Sequence, residues 1–560
     1  MFGTVVRSVC LLLGLQLGAS LAWAQNPDRP LRIEVGDAVV TGFSGTAVPE
    51  AKRTGRADKS AIDLTFIDPD APAARVVSLA RPGFVADGRL FPARKTFDVF
   101  ARDVGQVFGV ALDDQTPPNI YLSATSAFGL HLVARDRDGS PERRKVGGPG
   151  VGWAKGQFGG DLQGDPGSIY KVDAVTGAIS VFAKVMLDGV PNPGPALGNL
   201  AYDSAHKQLF ASDLHTGMIH RFSVIDGGEM GAPYDHGVTG RAAVQLTPAP
   251  FDPAMRPNIA SVKFDSGNPA TWGYAPPERQ VWALAVHGGR LFYSARNGSN
   301  IEGPQILSVA LLPDGAPAGD VRVEVEAPAQ PGPYPVSDIA FSQTGAMLLA
   351  QRATIVASYD YSAFVAPGQP RVLRYWPKES NDPPSPGLWK PAPEEYPVGF
   401  AGEARNSAGG VALGYGYDPN GALNPSNCDG SILISGDKLR LNGALRERLA
   451  PGGPLAVDGL QVGPFDAVKR PDAALPWTSY FVDFDDKFVE PTATGRVGGV
   501  RTFVAPCARQ SAAAPSLVGA NNQTGAPGDP QYVNGPQTGG GGGVDPPPPP
   551  PASACARLRS

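Results

Sequence analysis

A short pattern of hydrophobic and polar positions recurs along the chain: one small or polar residue, then hydrophobic-Ala-hydrophobic. Five copies keep the alanine: Gly109-Val110-Ala111-Leu112, Asn199-Leu200-Ala201-Tyr202, Ala283-Leu284-Ala285-Val286, Asp338-Ile339-Ala340-Phe341 and Gly410-Val411-Ala412-Leu413. A degenerate sixth copy has glutamine in place of alanine, Gly459-Leu460-Gln461-Val462. Hydrophobic residues two positions apart face one side of a strand, so each copy predicts a short buried strand.

A second strand-like run follows each copy after a turn: Ile120-Tyr121-Leu122, Leu209-Phe210-Ala211, Leu291-Phe292-Tyr293, Met347-Leu348-Leu349, Ile432-Leu433-Ile434 and Tyr480-Phe481-Val482. Third runs often come next, which predicts repeated four-stranded antiparallel sheets. One such sheet cannot bury both of its faces, so the sheets must stack around an axis. The sequence therefore predicts an all-β protein, a β-propeller of about six blades, with a β-sandwich as the alternative.

The two ends of the repeat region predict how the ring closes. Thr96–Phe100 precedes the first copy, where an outermost strand would lie, and residues 495–503 follow the last copy. The two segments are predicted to share one blade. Residues 31–80 hold further strand-like runs, which make seven blades the alternative count. The propeller is thus predicted over residues 96–505, after an N-terminal segment over residues 25–95.

Both termini are predicted to lie outside the propeller. Residues 1–24 are typical of a signal peptide, with a basic Arg7, an apolar stretch and the cleavage-site pattern Ala22-Trp23-Ala24. This predicts export to the periplasm, the cell surface or the medium. Residues 506–560 contain runs of glycine and proline, which predict a disordered linker and tail.

Composition narrows the partners and the chemistry. The net charge of −5 gives no reason to expect nucleic acid as a partner. The mature chain has no apolar run of about 18 residues, so no transmembrane segment is predicted in it. Of its three cysteines, Cys428 and Cys507 could form a disulfide bond, which leaves Cys555 over.

The repeat also resembles a known group of proteins. Leu200-Ala201-Tyr202-Asp203 through Leu209-Phe210-Ala211-Ser212-Asp213 is similar to the repeat of NHL-type and gluconolactonase-like propellers, and the likeness covers about residues 105–485. Such propellers include hydrolases, lyases, scaffolds and ligand-binding proteins, so the resemblance implies the fold more than the function. The whole chain also resembles large secreted bacterial proteins in which a propeller precedes a linker.

The resemblance implies a candidate metal site. In gluconolactonase-like propellers, Asn and Asp at strand starts near the axis hold a divalent ion, and Asn199 and Asp338 occupy such positions. A divalent cation such as calcium is the cofactor so implied. The pattern departs from the family because no counterpart of its metal-binding Glu can be placed. The equivalent positions of the other four copies are glycine or alanine.

A candidate catalytic cluster lies in the second copy. Asp213 to His220 is predicted as two strands with a tight turn at residues 216–217, which would put Asp213, His215 and His220 on one face. The cluster is predicted to open toward the same end of the propeller as Asn199. It could perform acid–base chemistry, but Asp and His at hairpin ends also cap turns.

Two function classes follow from these patterns. Sequence signatures such as GxSxG, HExxH and GxGxxG are absent, which favours a binding module for an envelope or extracellular ligand, a glycan or a protein. The alternative is a divalent-metal-dependent lactonase-like hydrolase or a polysaccharide lyase. The sequence therefore leaves open whether the protein is an enzyme.

Large aromatic residues could stack on a carbohydrate, although packing between blades is favoured for them: Trp153, Trp272, Tyr274, Trp376 and Trp389. Residues 483–486, Asp-Phe-Asp-Asp, could bind a cation together with other oxygens, but they are interpreted as a solvated turn.

Overall fold

The computed structural model describes residues 31–43, 46–47, 66–80, 82, 86–127, 132–137, 139, 141–192, 194, 196–252, 259–266, 268–272, 275–295, 303–330, 334–353, 369–382, 387–470, 475–488 and 496–505. The predicted signal peptide and C-terminal tail lie outside these ranges, and so does Tyr274. Cys428 is disulfide-bonded, and the other cysteines of the chain, including its predicted partner Cys507, lie outside the described residues.

Six four-stranded antiparallel sheets form a ring, because each innermost strand contacts the innermost strands of both neighbouring sheets. From the axis outward the strands are, in blade 1, Val497–Thr502, Ala38–Gly42, Pro72–Val77 and Lys95–Phe100; in blade 2, Val107–Leu112, Ile120–Ala124, Ser168–Val172 and Ile179–Lys184; in blade 3, Leu197–Asp203, Gln208–Asp213, Met218–Ser223 and Tyr234–Asp235; in blade 4, Val281–His287, Arg290–Ala295, Gln305–Ala310 and Arg322–Glu326; in blade 5, Val336–Phe341, Met347–Gln351, Val372–Tyr375 and Glu394–Tyr396; in blade 6, Ser407–Gly414, Ser431–Gly436, Gly459–Pro464 and Tyr480–Asp483. The six-bladed β-propeller is confirmed.

The remaining elements lie in the loops. A three-stranded sheet consists of Leu132–Arg135, Pro141–Arg144 and Gly152–Trp153. Short strand pairs are Thr46–Ala47 with Phe66–Ile67, Met186–Leu187 with Val190–Pro191, and Gly416–Tyr417 with Leu423–Asn424. The helical turns are Ala101–Val104, His236–Gly240, Arg241–Ala243, Pro269–Thr271, Pro277–Arg279, Arg446–Leu449 and Ala450–Gly452.

Blade 1 joins the two ends of the repeat region. Its innermost strand, Val497–Thr502, comes from the C-terminal side, and its other three strands come from the N-terminal side. The predicted sharing of one blade by Thr96–Phe100 and residues 495–503 is thereby confirmed. The strand-like runs of residues 31–80 supply the second and third strands of this blade, so they do not form a seventh. The first propeller strand is Ala38–Gly42, well before residue 96.

The sixth repeat copy was predicted to be the first strand of a sheet, with the run Tyr480-Phe481-Val482 as the second strand. This prediction was wrong. Gly459–Pro464 is the third strand of blade 6, and Tyr480–Asp483 is its outermost strand. A buried third strand has the same alternation of apolar residues as an innermost strand, so the pattern alone does not separate them. The glutamine that replaces alanine has its own function: Gln461 donates to Pro397 O at 2.7 Å and accepts from Gly399 N at 2.8 Å.

The innermost strands share one irregularity that explains the repeat. In each blade the pairing of the innermost strand with the second strand is interrupted by a bulge near the same level. The backbone there approaches its neighbours closely. A Cβ added at Gly109 would lie 2.5 Å from Ser123 Oγ and 3.0 Å from Asn199 Cα. The first residue of the repeat is therefore usually small.

Buried hydroxyl groups on the second strands hold these bulges and connect the blades. Ser212, Ser294 and Ser435 accept hydrogen bonds from the bulge amides of Asn199 (2.9 Å), Ala283 (3.0 Å) and Gly410 (2.8 Å), respectively. Ser294 Oγ also donates to Val336 O of the next blade at 2.6 Å. Each such hydroxyl satisfies buried backbone groups that the bulge removes from the regular ladder.

Candidate functional site

The two residues proposed as metal ligands meet on the propeller axis. Asn199 of blade 3 donates from Nδ2 to Ser337 O at 2.7 Å and to Asp338 Oδ1 at 3.2 Å. Asn199 is 1% exposed and Asp338 is fully buried. The bulges position both residues, since Asn199 lies within the bulge of its innermost strand and Asp338 directly follows the bulge of its own. The structure thus brings the predicted pair together across the ring.

Arg501 completes this axial cluster and was missed by the sequence analysis. Its guanidinium makes a bidentate ion pair with Asp338, with Nη1–Oδ2 at 2.7 Å and Nη2–Oδ1 at 2.8 Å. Burial opposes the charged form, but the paired carboxylate of Asp338 outweighs it and raises the pKa of Arg501. The only sequence signal was a cation in the predicted closing strand. A guanidinium therefore lies against the carboxylate that the resemblance assigned to a metal ion.

The remaining acceptor capacity of Asp338 is used by backbone amides. Ile339 N donates to Oδ1 at 3.0 Å, and Val411 N of blade 6 donates to Oδ2 at 3.1 Å. With Asn199 of blade 3 and Arg501 of blade 1, the carboxylate connects four blades. Ion pairs with this geometry join planar groups through two parallel hydrogen bonds. The axial cluster, defined as Asn199, Asp338 and Arg501, therefore ties the closing strand to the far side of the ring.

Another arginine, which is buried, connects the blades where the ring closes. It lies at the upper end of the propeller, which we define as the end where the second and third strands of each blade connect. Arg352 follows the second strand of blade 5 and donates to Ala408 O at 2.5 Å and Val497 O at 2.6 Å. Its guanidinium lies over the rings of Phe43 (5.3 Å) and Phe108 (5.5 Å). Burial lowers the pKa of Arg352 to about 10.

Asp213 of the predicted catalytic cluster holds the local loop. Its carboxylate accepts hydrogen bonds from His215 N at 2.9 Å and Thr216 Oγ1 at 2.6 Å, and also from Asn192 Nδ2 at 2.8 Å. This is the turn-capping arrangement that the sequence analysis had set beside the catalytic one.

The predicted register of this hairpin was wrong. Asp213 pairs with Met218 and Ala211 pairs with His220, so residues 214–217 form the connection and His215 lies in it rather than in a strand. The capping bonds of the Asp213 carboxylate favour this longer connection over a two-residue turn. Asp213 and His220 still share a face of the sheet, because alternate strand residues point the same way.

Three histidines of blade 3 each have an identified polar neighbour. His220 Nδ1 lies 2.6 Å from Glu229 Oε1, and His206 Nδ1 lies 2.6 Å from Asp203 Oδ2. His236 Nδ1 lies 3.2 Å from the hydroxyl of Tyr293, and burial lowers the pKa of His236 to about 3. The blade thus contains several histidines in separate polar contacts.

A dedicated cap covers the upper end of the axis. The cap consists of the three-stranded sheet between residues 132 and 153 together with residues 259–266. Beneath it lies one apolar cluster to which blades 1 to 5 and the cap contribute: Phe43, Phe108, Ala127, Leu132, Leu214, Phe264, Trp272, Trp282 and Ala353. Because five blades meet there, the cluster lies on the axis, and the cap closes the end toward which Asn199 and the Asp213 loop were predicted to open.

The large aromatic residues mostly pack inside the protein. Trp389 is 6% exposed and packs among residues of blades 4 and 5, as the favoured interpretation of packing between blades predicts, whereas Trp272 is fully buried in the apolar cluster beneath the cap. Trp153 packs edge-on against Phe158 and Phe264, with ring centroids 5.5 and 6.3 Å apart. Trp153 and Phe264 belong to the cap, so these contacts pack its two segments against each other and against Phe158.

Two carboxyl groups at the upper end of blade 6 have raised pKa values. The interpretation of residues 483–486 as a solvated turn was wrong for Asp483, which is 2% exposed. Asp458 N donates to Asp483 Oδ1 at 3.2 Å, and Lys438 N donates to Asp458 Oδ1 at 2.6 Å. Burial first, and then neighbouring carboxylates, raise the pKa of both Asp458 and Asp483.

Metal-binding clusters and membrane-spanning helices are both absent from the described residues. Within these ranges, no group of three or more His, Cys, Asp or Glu side chains is arranged to hold a metal ion. Across the same part of the chain, no helix is both long and apolar enough to cross a membrane.

The chain resembles solved structures at low sequence identity and low TM-scores. No protein-family model and no curated protein matches the chain. A crystal structure of a nidogen/laminin complex is 9% identical, covers 84% of this chain and 100% of that chain, and gives a TM-score of 0.36. A candidate 6-phosphogluconolactonase from Bacteroides uniformis is 10% identical, with coverages of 80% and 98% and a TM-score of 0.30. Regucalcin, a calcium-binding protein from Agrobacterium tumefaciens, is 10% identical, with coverages of 71% and 97% and a TM-score of 0.29. The assignment of the chain as a six-bladed β-propeller rests on its own strand order around the axis.

Proposed function

We propose that this protein is an exported binding module whose ligand belongs to the cell envelope or the extracellular matrix. The observation that carries the proposal is the ion pair of Arg501 with Asp338 on the axis. The carboxylate best placed for metal or acid–base chemistry is already neutralised and holds four blades together. Its geometry supports a structural role for the axis and leaves recognition to the loops.

The cap supports this proposal because it offers a surface that the propeller blades hold in place. Gly147 N donates to Phe264 O at 2.8 Å, and Ser266 N donates to Lys145 O at 2.9 Å, so the two cap segments are joined by backbone hydrogen bonds. Binding residues are often found on loops that a rigid scaffold positions. A propeller with a fixed cap matches that design.

A lactonase-like or lyase activity is the second candidate, since Asn199 Nδ2 lies only 3.2 Å from Asp338 Oδ1. Such chemistry would need the Asn199 and Asp338 side chains to coordinate a divalent cation, which would polarise a carbonyl. It would also require the Arg501 guanidinium to leave the carboxylate. His215, His220 or Asp213 would then have to move a proton.

One pair of measurements on the purified mature chain separates the two candidates. The binding module predicts retention on a glycan or protein array of envelope components, and a metal content below one equivalent after dialysis. If the protein is a metal-dependent enzyme, it should hold about one divalent ion tightly, with calcium tested first. The Asp338→Asn variant, which keeps Arg501, should lose that ion. Absence of binding to every component would contradict the binding proposal. Cell fractionation of the tagged full chain tests the export that it assumes.

A further inference from the structure

The closing strand, Val497–Thr502, is the element whose attachment keeps the ring shut. It lies at the edge of blade 1 and pairs with Ala38–Gly42 on one side. The pairing continues one residue further, where Phe503 N donates to Asp37 O at 2.9 Å. An edge strand separates from its sheet more easily than a central strand does, so closure depends on whatever holds the chain just after this strand.

A loop of blade 6 is attached to the N-terminal part of blade 1. This loop, residues 415–430, joins the first and second strands of blade 6 at the end of the propeller opposite the cap. Tyr417 Oη donates to Leu79 O at 3.3 Å, and Leu423 N donates to Ala80 O at 3.2 Å. Both acceptors follow the third strand of blade 1, so the loop rests on strands that come from the N-terminal side of the chain.

The same loop also contacts the chain that leaves the closing strand. Tyr415 Oη donates to Ala505 O at 3.0 Å. The next residue, Gly416, donates from its backbone N to Asn427 O at 2.8 Å. Because Asn427 directly precedes Cys428, Ala505 lies one tyrosine side chain away from the backbone beside Cys428. The loop thus contacts both parts of blade 1.

Cys428 is disulfide-bonded, and the mature chain has two other cysteines, Cys507 and Cys555. Cys507 comes two residues after Ala505, so its Cα can be at most about 8 Å from that of Ala505. The two Cα atoms of a disulfide lie about 4.4–6.8 Å apart. The contact of Ala505 with Tyr415 therefore keeps Cys507 within reach of Cys428.

We propose that Cys428 is bonded to Cys507 and that this disulfide makes closure of the ring sensitive to redox conditions. The bond would fasten the end of the closing strand to a loop that already holds the other strands of blade 1. It would close a covalent loop of about 80 residues, and constraining a loop of that length favours the folded state. The inference goes beyond the proposed function, because it concerns the fold and does not depend on any ligand.

The chemistry requires an oxidant of the thiol–disulfide class. Each of the two thiols gives up its proton, the two sulfurs form one bond, and two electrons pass to the disulfide of the oxidant, which leaves as two thiols. Such oxidants act in exported compartments, whereas reducing agents keep cytosolic thiols free. We therefore expect the closing strand to be fastened after export and loosened by reduction.

The first test identifies the bonded pair in the mature full chain by digestion without reduction, followed by mass spectrometry. We expect a peptide that contains Cys428 joined to one that contains Cys507. Alkylation before reduction should label Cys555 and neither of the other two. A bond from Cys428 to Cys555 or to a second chain, or a free thiol at Cys507, would refute the pairing.

The second test measures hydrogen exchange in the closing strand. The variant is Cys507→Ser/Cys555→Ser, and its matched control is Cys555→Ser, which keeps the bonded pair and removes the spare thiol. Amides of Val497–Thr502 should exchange at least about tenfold faster in the double variant than in the control. Amides of Leu197–Asp203, the innermost strand of blade 3, should change by less than about twofold.

Reduction of the folded control provides the same comparison without relying on the double variant to fold. A phosphine reductant should accelerate exchange in Val497–Thr502, and oxidised glutathione should restore the slow rate. Equal exchange in the reduced and oxidised proteins would overturn the inference. Equal acceleration in all six blades would also overturn it, because the disulfide would then stabilise the whole ring and not the closing strand. Neither result bears on ligand binding, so the proposed function would stand.

Discussion

The axial ion pair makes a sharp prediction about stability. Asp338→Asn should remove the negative charge and leave Arg501 with Val500 O, 2.8 Å away, as its remaining described acceptor besides the amide oxygen of the new side chain. Removing one partner of a buried ion pair costs about 3–5 kcal/mol, because the other charge stays buried without compensation. Since 22% of the Arg501 side chain is exposed, we expect the lower part of that range.

The reverse substitution should cost less. Arg501→Met leaves the Asp338 carboxylate with three donors: the side-chain amide of Asn199 and the backbone N–H groups of Ile339 and Val411. A carboxylate that keeps several hydrogen bonds loses part of its stabilisation rather than all of it, so we expect about 1–3 kcal/mol. The double variant should be less destabilised than the sum of the two, because neither charge is then left alone.

Urea unfolding followed by tryptophan fluorescence measures these free energies. The control is Asp70→Asn, which breaks an exposed ion pair of similar length, Arg102 Nη1–Asp70 Oδ1 at 2.5 Å. Exposed pairs contribute about 0–1 kcal/mol, so this variant should unfold almost like the parent. If Asp338→Asn were no more destabilised than Asp70→Asn, or if the double variant showed simple additivity, the account of the axial cluster would be refuted.

The remaining predictions concern the blades, the upper end of blade 6 and the cap. Ser294→Ala removes a hydroxyl that bonds two blades and should lower the free energy of unfolding by about 1–3 kcal/mol, whereas Ser223→Ala, at the end of a third strand where the hydroxyl accepts an exposed hydrogen bond from Ile225 N, should change it by less than about 0.5 kcal/mol. Because the folded state raises the pKa of Asp483 above the ordinary value of 3.8, this group stabilises the fold at low pH and loses that contribution as pH rises through the raised pKa. The stability difference between the parent and Asp483→Asn should therefore shift in favour of the variant as pH increases, and a pH-independent difference in urea titrations would contradict this. Gly147→Ala should loosen the cap by forcing the Ile259 and Ser261 carbonyls apart, seen as faster hydrogen exchange in residues 259–266, and unchanged exchange there would count against the close approach.

The parts of the fold that sequence predicted correctly follow from local alternation. Copies such as Leu200-Ala201-Tyr202 identified innermost strands because apolar residues on alternate positions are required wherever a strand is buried. The same reasoning failed at Gly459–Pro464, since a third strand between two others is buried as deeply as an innermost strand. Strand order within a blade is a nonlocal property that alternation does not encode.

The candidate site shows the same division. Asn199 and Asp338 could be selected from the sequence because they replace small residues in the repeat. Arg501 could not, because its partner lies 163 residues away and only the closed ring brings them together. Likewise, the length of the connection after Asp213 depends on the hydrogen bonds that its carboxylate accepts, among them one from Asn192 in a preceding loop.

By itself, the sequence determined the all-β class, the repeated blade and the joining of both ends in one blade, because burial in a blade imposes a period of two wherever it occurs. Only the tertiary structure decided what lies on the axis and at the upper end. The pairing of Asp338 with Arg501 and the apolar cluster under the cap both join residues that are distant in the chain. Their energies arise from burial and charge pairing that exist only after the ring has closed.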